Sequence, residues 1–247
     1  MRSSVGTSVC LLAVLTIGCT ESEEPSGAEP ILVPDHAALG FIDVSNSAVT
    51  PWCAATLVAP RVVLTASRCV AGLSPSQIRF GVGSVTPQGA EGGLFPVMKV
   101  VLHPQRAKWQ HDLAALILET PVPNVTPMAM GPELSIAERL ESVNYGYVHR
   151  GENSIRRLWA GTGQPDVDSI TVLPTEGAPS CQCVTGGGMV NQAGQLIGFI
   201  SAGKGQAGAA ATAGASCASA YKLAAVGQNL MFVDEAITAN SAVPVVP

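Results

Sequence analysis

The chain has 247 residues, of which 47% are hydrophobic and 13% charged, a balance that excludes a disordered polymer and supplies apolar surface for one or two cores. Its net charge of −5 comes without a basic cluster, so there is no electrostatic footprint for phosphate backbones, and nucleic acid is not expected as a partner. Aromatics make up only 4%, while 26 Gly and 18 Pro interrupt the chain often, which predicts an all-β protein of short strands packed with Val, Leu, Ile and Ala.

Residues 1–18 carry one cation, Arg2, followed by an apolar run over 9–17 that is too short to span a bilayer and reads as an export signal. Thr16-Ile17-Gly18-Cys19 is similar to a bacterial lipobox, with Thr where Leu is usual; this implies cleavage before Cys19 and its acylation, with ordinary secretion as the alternative. Residues 19–30, with Glu21, Glu23, Glu24, Pro25, Ser26 and Gly27, read as a flexible tether, and folded structure is expected over 31–247. The protein is therefore expected in the cell envelope or secreted, touching membrane only through a lipid on Cys19.

Apolar runs at 54–58, 62–66, 97–102 and 113–118, with turn residues between them, predict the strands of a first lobe. After a Pro-containing connection over 121–132, a second set is predicted at 142–147, 157–161, 170–173, 188–190 and 196–201. Over 225–239, Leu230, Val233 and Ile237 recur at spacings of three and four, which predicts a helix packed on the second lobe.

Four groups of residues stand out along this frame. Cys53 opens a strand pair that ends in Thr65-Ala66-Ser67-Arg68-Cys69. Val100-Val101-Leu102-His103-Pro104 precedes His111-Asp112-Leu113-Ala114-Ala115-Leu116, and Asn144-Tyr145-Gly146-Tyr147 follows. Cys181-Gln182-Cys183-Val184-Thr185-Gly186-Gly187-Gly188-Met189-Val190 leads to Gly198-Phe199-Ile200-Ser201-Ala202-Gly203. In order, spacing and flanking strands these segments resemble the chymotrypsin/trypsin-like serine protease family from about residue 33 to about 238. The resemblance implies two antiparallel six-stranded β-barrels, one over about 31–125 and one over about 133–224, with a C-terminal α-helix over about 225–239. It also implies disulfides Cys53–Cys69 and Cys181–Cys217, leaving Cys183 spare, although the residues alone leave a Cys183–Cys217 pairing open.

The same resemblance puts Arg68 where the family has its histidine base, Asp112 at its aspartate and Thr185 at its serine nucleophile. A guanidinium stays protonated and offers only donors, so Arg68 cannot accept a hydroxyl proton. Losing the base of such a triad costs about a million-fold in turnover. The extra methyl of Thr185 crowds attack, and threonine nucleophiles rely on an amine. By the same resemblance Cys183, Val184 and Thr185 are the oxyanion-loop positions, with Cys183 in place of a glycine and Val184 in place of the aspartate that holds the family's mature N-terminus. No basic cleavage site lies around Glu29-Pro30-Ile31 to release such a terminus. The resemblance also implies Pro179 at the floor of a specificity pocket and Ser201, Ala202 and Gly203 at its rim. The expectation is a homologue that has lost base and nucleophile, a non-catalytic binding or scaffold protein with a protein or peptide ligand in the vestigial cleft, and with no cofactor or metal. The alternatives are a weak hydrolase using Thr185 or Cys183, and an envelope component linked to another protein through Cys183. Arg68 and Asp112 are expected to form a partly buried ion pair.

Overall fold

A computed structural model describes residues 36–44, 48–131, 140–150, 153–166, 169–174, 185–203 and 221–241. The chain divides into two units, Met1–Pro30 and Ile31–Pro247, and all described residues lie in the second. The first-lobe strands are β1 (Leu39–Asp43), β2 (Pro51–Ala59), β3 (Val62–Thr65), β4 (Arg79–Val82), β7 (Leu94–Leu102) and β8 (Ala114–Leu118). They close into a barrel in the order β1-β2-β3-β8-β7-β4 through antiparallel pairs. Between β4 and β7 the short strands β5 (Val85–Thr86) and β6 (Gly89–Ala90) form a hairpin.

The second lobe contains β9 (Leu140–Arg150), β10 (Asn153–Asp166), β11 (Ser169–Pro174), β12 (Gly188–Val190), β13 (Leu196–Gly203) and β14 (Tyr221–Ala225). Its eight-stranded sheet runs β11-β14-β13-β12-β9-β10-β5-β6, and β11 pairs with β10 as well as with β14. That extra pairing closes six of these strands into a second ring, onto which Val85 of the β5–β6 hairpin is joined through Ser154. Closure leaves neither ring with an unpaired edge.

The first lobe buries, as its composition requires, aliphatic side chains such as Leu57, Leu64, Ile78, Leu116 and Ile117, each contributing about 2 kcal/mol of burial free energy. Two of the few aromatics, Phe41 and Phe80, are buried in separate clusters by mutual accommodation. Along the β1–β4 pair, a Cβ on Gly40 would meet the ring of Phe80, and one on Gly81 the ring of Phe41. Each glycine therefore makes room for the other strand's phenylalanine.

The terminal helix, α1 (Leu230–Ser241), starts later than expected, because Ala225 is still a strand residue paired with Gly198 and a 3-10 turn at Gly227–Asn229 intervenes. Val233 and Ala236 are its buried positions, and Leu230 and Ile237 are partly buried beside them. This face lies against β3 and β8 of the first barrel, not solely on the second lobe as its position in the sequence suggested. The helix follows the second lobe in sequence but shares a hydrophobic cluster with Leu64, Leu116 and Val226.

Candidate functional site at the junction of the two lobes

β3 and β8 are antiparallel neighbours, with Thr65 opposite Ala114, so the segments leaving these strand ends emerge side by side. A 3-10 turn at Ser67–Cys69 follows β3, and another at Trp109–His111 leads to Asp112 before β8. The Ser67 N–H donates to the Asp112 carbonyl at 3.3 Å, fixing the two turns together. The Cys53–Cys69 disulfide forms, as the family resemblance implied, and the Trp52 indole N–H donates to the Cys69 carbonyl at 3.1 Å. Together they clamp the turn that carries Arg68 onto β2.

The Asp112 carboxylate is only 2% exposed, and four donors converge on it. Oδ1 accepts from the Ser67 hydroxyl and from the Arg68 N–H at 3.1 Å. Oδ2 accepts from Arg68 Nε–H at 2.6 Å and from the Ser201 hydroxyl at 2.5 Å. The expected ion pair is thus present, and it is charge-assisted and geometrically tight. Ser201, expected at the rim of a specificity pocket, turns its hydroxyl to Asp112. The register of β13 on β14 slips between Ile200 and Ala202, and this bulge re-aims the intervening Ser201 toward the first barrel. The Ser201 oxygen also accepts from Arg68 Nη2–H at 3.2 Å, so Arg68, Ser201 and Asp112 close a three-membered hydrogen-bonded ring.

Arg68 is held on a third side as well. Its Cζ lies 4.6 Å from the centroid of the Trp109 ring, a cation–π stack on an indole that is itself 46% exposed. Trp109 and Ser67 carried no signal in the sequence, since Trp109 reaches Arg68 only because the 3-10 turn before Asp112 brings it there.

Thr185 sits in a loop entering β12 and is tied to the first barrel by its backbone. Its carbonyl accepts from the Ala54 N–H at 2.9 Å. The next residue, Gly186, has φ +80° and donates its N–H to the Ile200 carbonyl. A Cβ there would overlap the Ala54 carbonyl oxygen and the Thr65 hydroxyl, which are themselves joined by a 2.8 Å hydrogen bond. The Thr185 hydroxyl makes no hydrogen bond to any described residue. Pro179, Cys181, Cys183, Val184 and Cys217 lie outside the described residues, as does Cys19, and with them the expected second disulfide, the expected pocket floor and all of the expected oxyanion loop except Thr185. Ala202 and Gly203 continue β13 after Ser201.

The histidines nearest Asp112 are committed elsewhere. The rings of His103 and His111 stack with centroids 4.7 Å apart and an interplanar angle of 6°, and Phe232 of α1 meets His103 edge-on. Asn229 spends both amide hydrogens on the Gln110 and Ala225 carbonyls, so its Oδ1 accepts and His111 Nδ1–H donates, at 2.8 Å. His103 Nδ1 accepts from the Gln105 N–H, which puts its proton on Nε2. Burial, and then the charge of His111 beside it, lower the His103 pKa from the ordinary 6.5. Among the described residues no group of three or more His, Cys, Asp or Glu is placed to hold a metal ion.

Comparison with known proteins agrees with this architecture. The family model described as Trypsin matches residues 33–223. A curated trypsin from Saccharopolyspora erythraea is 27% identical over 203 residues, covering 72% of this chain and 86% of the relative. Among solved structures, human heparin binding protein superposes with a TM-score of 0.66 at 18% identity, covering 88% of this chain and 97% of that one. Kallikrein-related peptidase 10 in complex with zinc gives a TM-score of 0.63 at 21% identity, with coverages of 83% and 98%. The chain belongs to the trypsin family, and its two-barrel fold is that of the trypsin-like serine proteases.

Proposed function

We propose that this member of the trypsin family is a non-catalytic homologue, an exported binding or scaffold protein whose cleft holds a protein or peptide ligand. The observation that carries the reading is the occupation of Asp112. The family aspartate orients an imidazole that takes the proton of the nucleophile. Here Asp112 receives a guanidinium, which has no lone pair to offer a hydroxyl group at any working pH. Further support comes from Thr185, whose hydroxyl has no hydrogen-bonded base among the described residues, and from His103 and His111, whose Nδ1 atoms are engaged with Gln105 and Asn229. Nucleophile activation needs an adjacent base, so hydroxyl attack by Thr185 has no driving group.

The test is direct. Purified protein is incubated with a mixed peptide pool and, separately, with a fluorophosphonate probe, and both are read by mass spectrometry. Intact peptides and unlabelled Thr185 are expected, whereas cleavage that disappears in Thr185→Ala overturns the proposal. The export signal over 1–18 and the lipobox-like Cys19 support a place in the cell envelope through a lipid on Cys19. Metabolic labelling with palmitate, unchanged on Cys19→Ala, would refute that anchor.

A further inference from the structure

We propose that Arg68 has become a carboxylate receptor: the vestigial cleft binds a polypeptide carboxylate through the outward edge of this guanidinium, an inference that rests on the non-catalytic reading above. A guanidinium has two usable edges. The edge formed by Nε and one Nη2 hydrogen is consumed by Asp112 Oδ2 and Ser201 Oγ. The other edge, formed by Nη1 and the second Nη2 hydrogen, donates to none of the described residues. Its two parallel N–H groups match the two oxygens of a carboxylate. The side chain is 35% exposed, so part of it meets solvent.

Three features make the edge a prepared receptor instead of an ordinary surface arginine. First, the side chain is already immobilised by Asp112, Ser201 and the Trp109 ring, so little rotamer freedom remains to be lost on binding. Second, Asp112 cannot swing out to compete, because it is buried and each of its oxygens already accepts two hydrogen bonds. Third, Asp112 neutralises Arg68, but the loop carrying Trp109 supplies uncompensated positive charge. Between Pro104 and His111 it contains exposed Arg106 and Lys108 and no acid, and neither cation forms a salt bridge with a described residue. Their field draws an anion toward the cleft, and the exposed indole offers an apolar surface to the carbon atoms that bear it.

The source of the carboxylate is either an Asp or Glu side chain or a free polypeptide C-terminus, and three short fluorescein-labelled peptides of one sequence separate them. One has an internal Glu and an amidated end, one has Gln and a free C-terminal carboxylate, and one has Gln with an amidated end. Fluorescence anisotropy at low salt is expected to show at least one acidic peptide binding about tenfold tighter than the neutral one. The preference is expected to vanish in Arg68→Lys, which keeps a cation for Asp112 but removes the fork, and to shrink in the surface variant Arg106→Ala/Lys108→Ala. Arg68→Lys is confirmed as folded by an unchanged circular dichroism spectrum. Equal binding of all three peptides, no binding of any, or a preference that survives Arg68→Lys overturns the proposal. Mass spectrometry of the same mixtures keeps the two readings apart: cleaved peptide sinks the non-catalytic assignment, whereas intact peptide without preference sinks the carboxylate site alone.

Discussion

Asp112 and Thr185, which the family resemblance sets at the aspartate and nucleophile positions, are held in opposite ways. At Asp112 the side chain is the structure: four donors from two lobes meet on one buried carboxylate, and the Arg68 guanidinium is among them. At Thr185 the backbone is the structure, through its carbonyl on Ala54 and the left-handed glycine that follows, while the hydroxyl hydrogen-bonds to nothing described. A buried charge must be compensated wherever it is kept, whereas a small hydroxyl at a partly exposed position has no such requirement. The contrast teaches that a side chain is fixed where it carries a buried charge, and that a backbone can be fixed where its side chain carries none.

The sharpest way to break the contrast is Asp112→Ala, which strands the Arg68 guanidinium and removes the acceptor of Ser67 and Ser201. Because Arg68 is about one-third exposed, the loss is expected at the lower end for a buried pair, about 3 kcal/mol. An unchanged urea midpoint would show that the network contributes nothing. Next, Gly186→Ala places a side chain at φ +80° against the Ala54 carbonyl and the Thr65 hydroxyl, and a destabilisation of about 2 kcal/mol is expected in the same measurement.

A smaller effect concerns pH. The folded-state pKa of His103 lies below the unfolded 6.5, so the unfolded protein takes the proton first. Stability present at neutral pH should therefore fall as the pH drops through about 6.5 and level off once the folded protein titrates as well. In His103→Phe that part of the pH slope is expected to disappear; an identical slope in the variant means that another group titrates. The smallest effect is expected for Thr185→Ala, within about 0.5 kcal/mol of the parent. A loss comparable with that of Asp112→Ala would reveal an engaged hydroxyl and erase the distinction between the two positions.

The apolar runs made much of the scaffold legible, because β2, β3, β7 and β8 are largely apolar segments bounded by turn residues. β1 and β4 gave no such signal. Each contains a glycine whose reason, the facing phenylalanine, exists only once the two strands are paired. The start of α1 lies beyond the point the pattern suggests for a related reason. Leu223, Ala224 and Ala225 suit a helix or a strand by composition, and pairing with β13 decides for the strand. At the site, the Arg68–Asp112 pair was legible from the resemblance and from charge alone, but the Ser201–Asp112 hydrogen bond was not, because nothing in a sequence marks a bulge.

By itself the sequence determined that Arg68 is a permanent cation lacking any acceptor, that Asp112 is an acid needing a partner, and that the intervening strands are apolar enough to bury both lobes. These are properties of residue type and local pattern, fixed before folding. Only the tertiary structure decided which edge of Arg68 is spent, which ring lies over it, and that α1 returns to the first barrel. Those outcomes depend on strand pairing and on turns separated by tens of residues in sequence, and the convergence of Ser67, Trp109 and Ser201 on one guanidinium–carboxylate pair arises only when both lobes close around it.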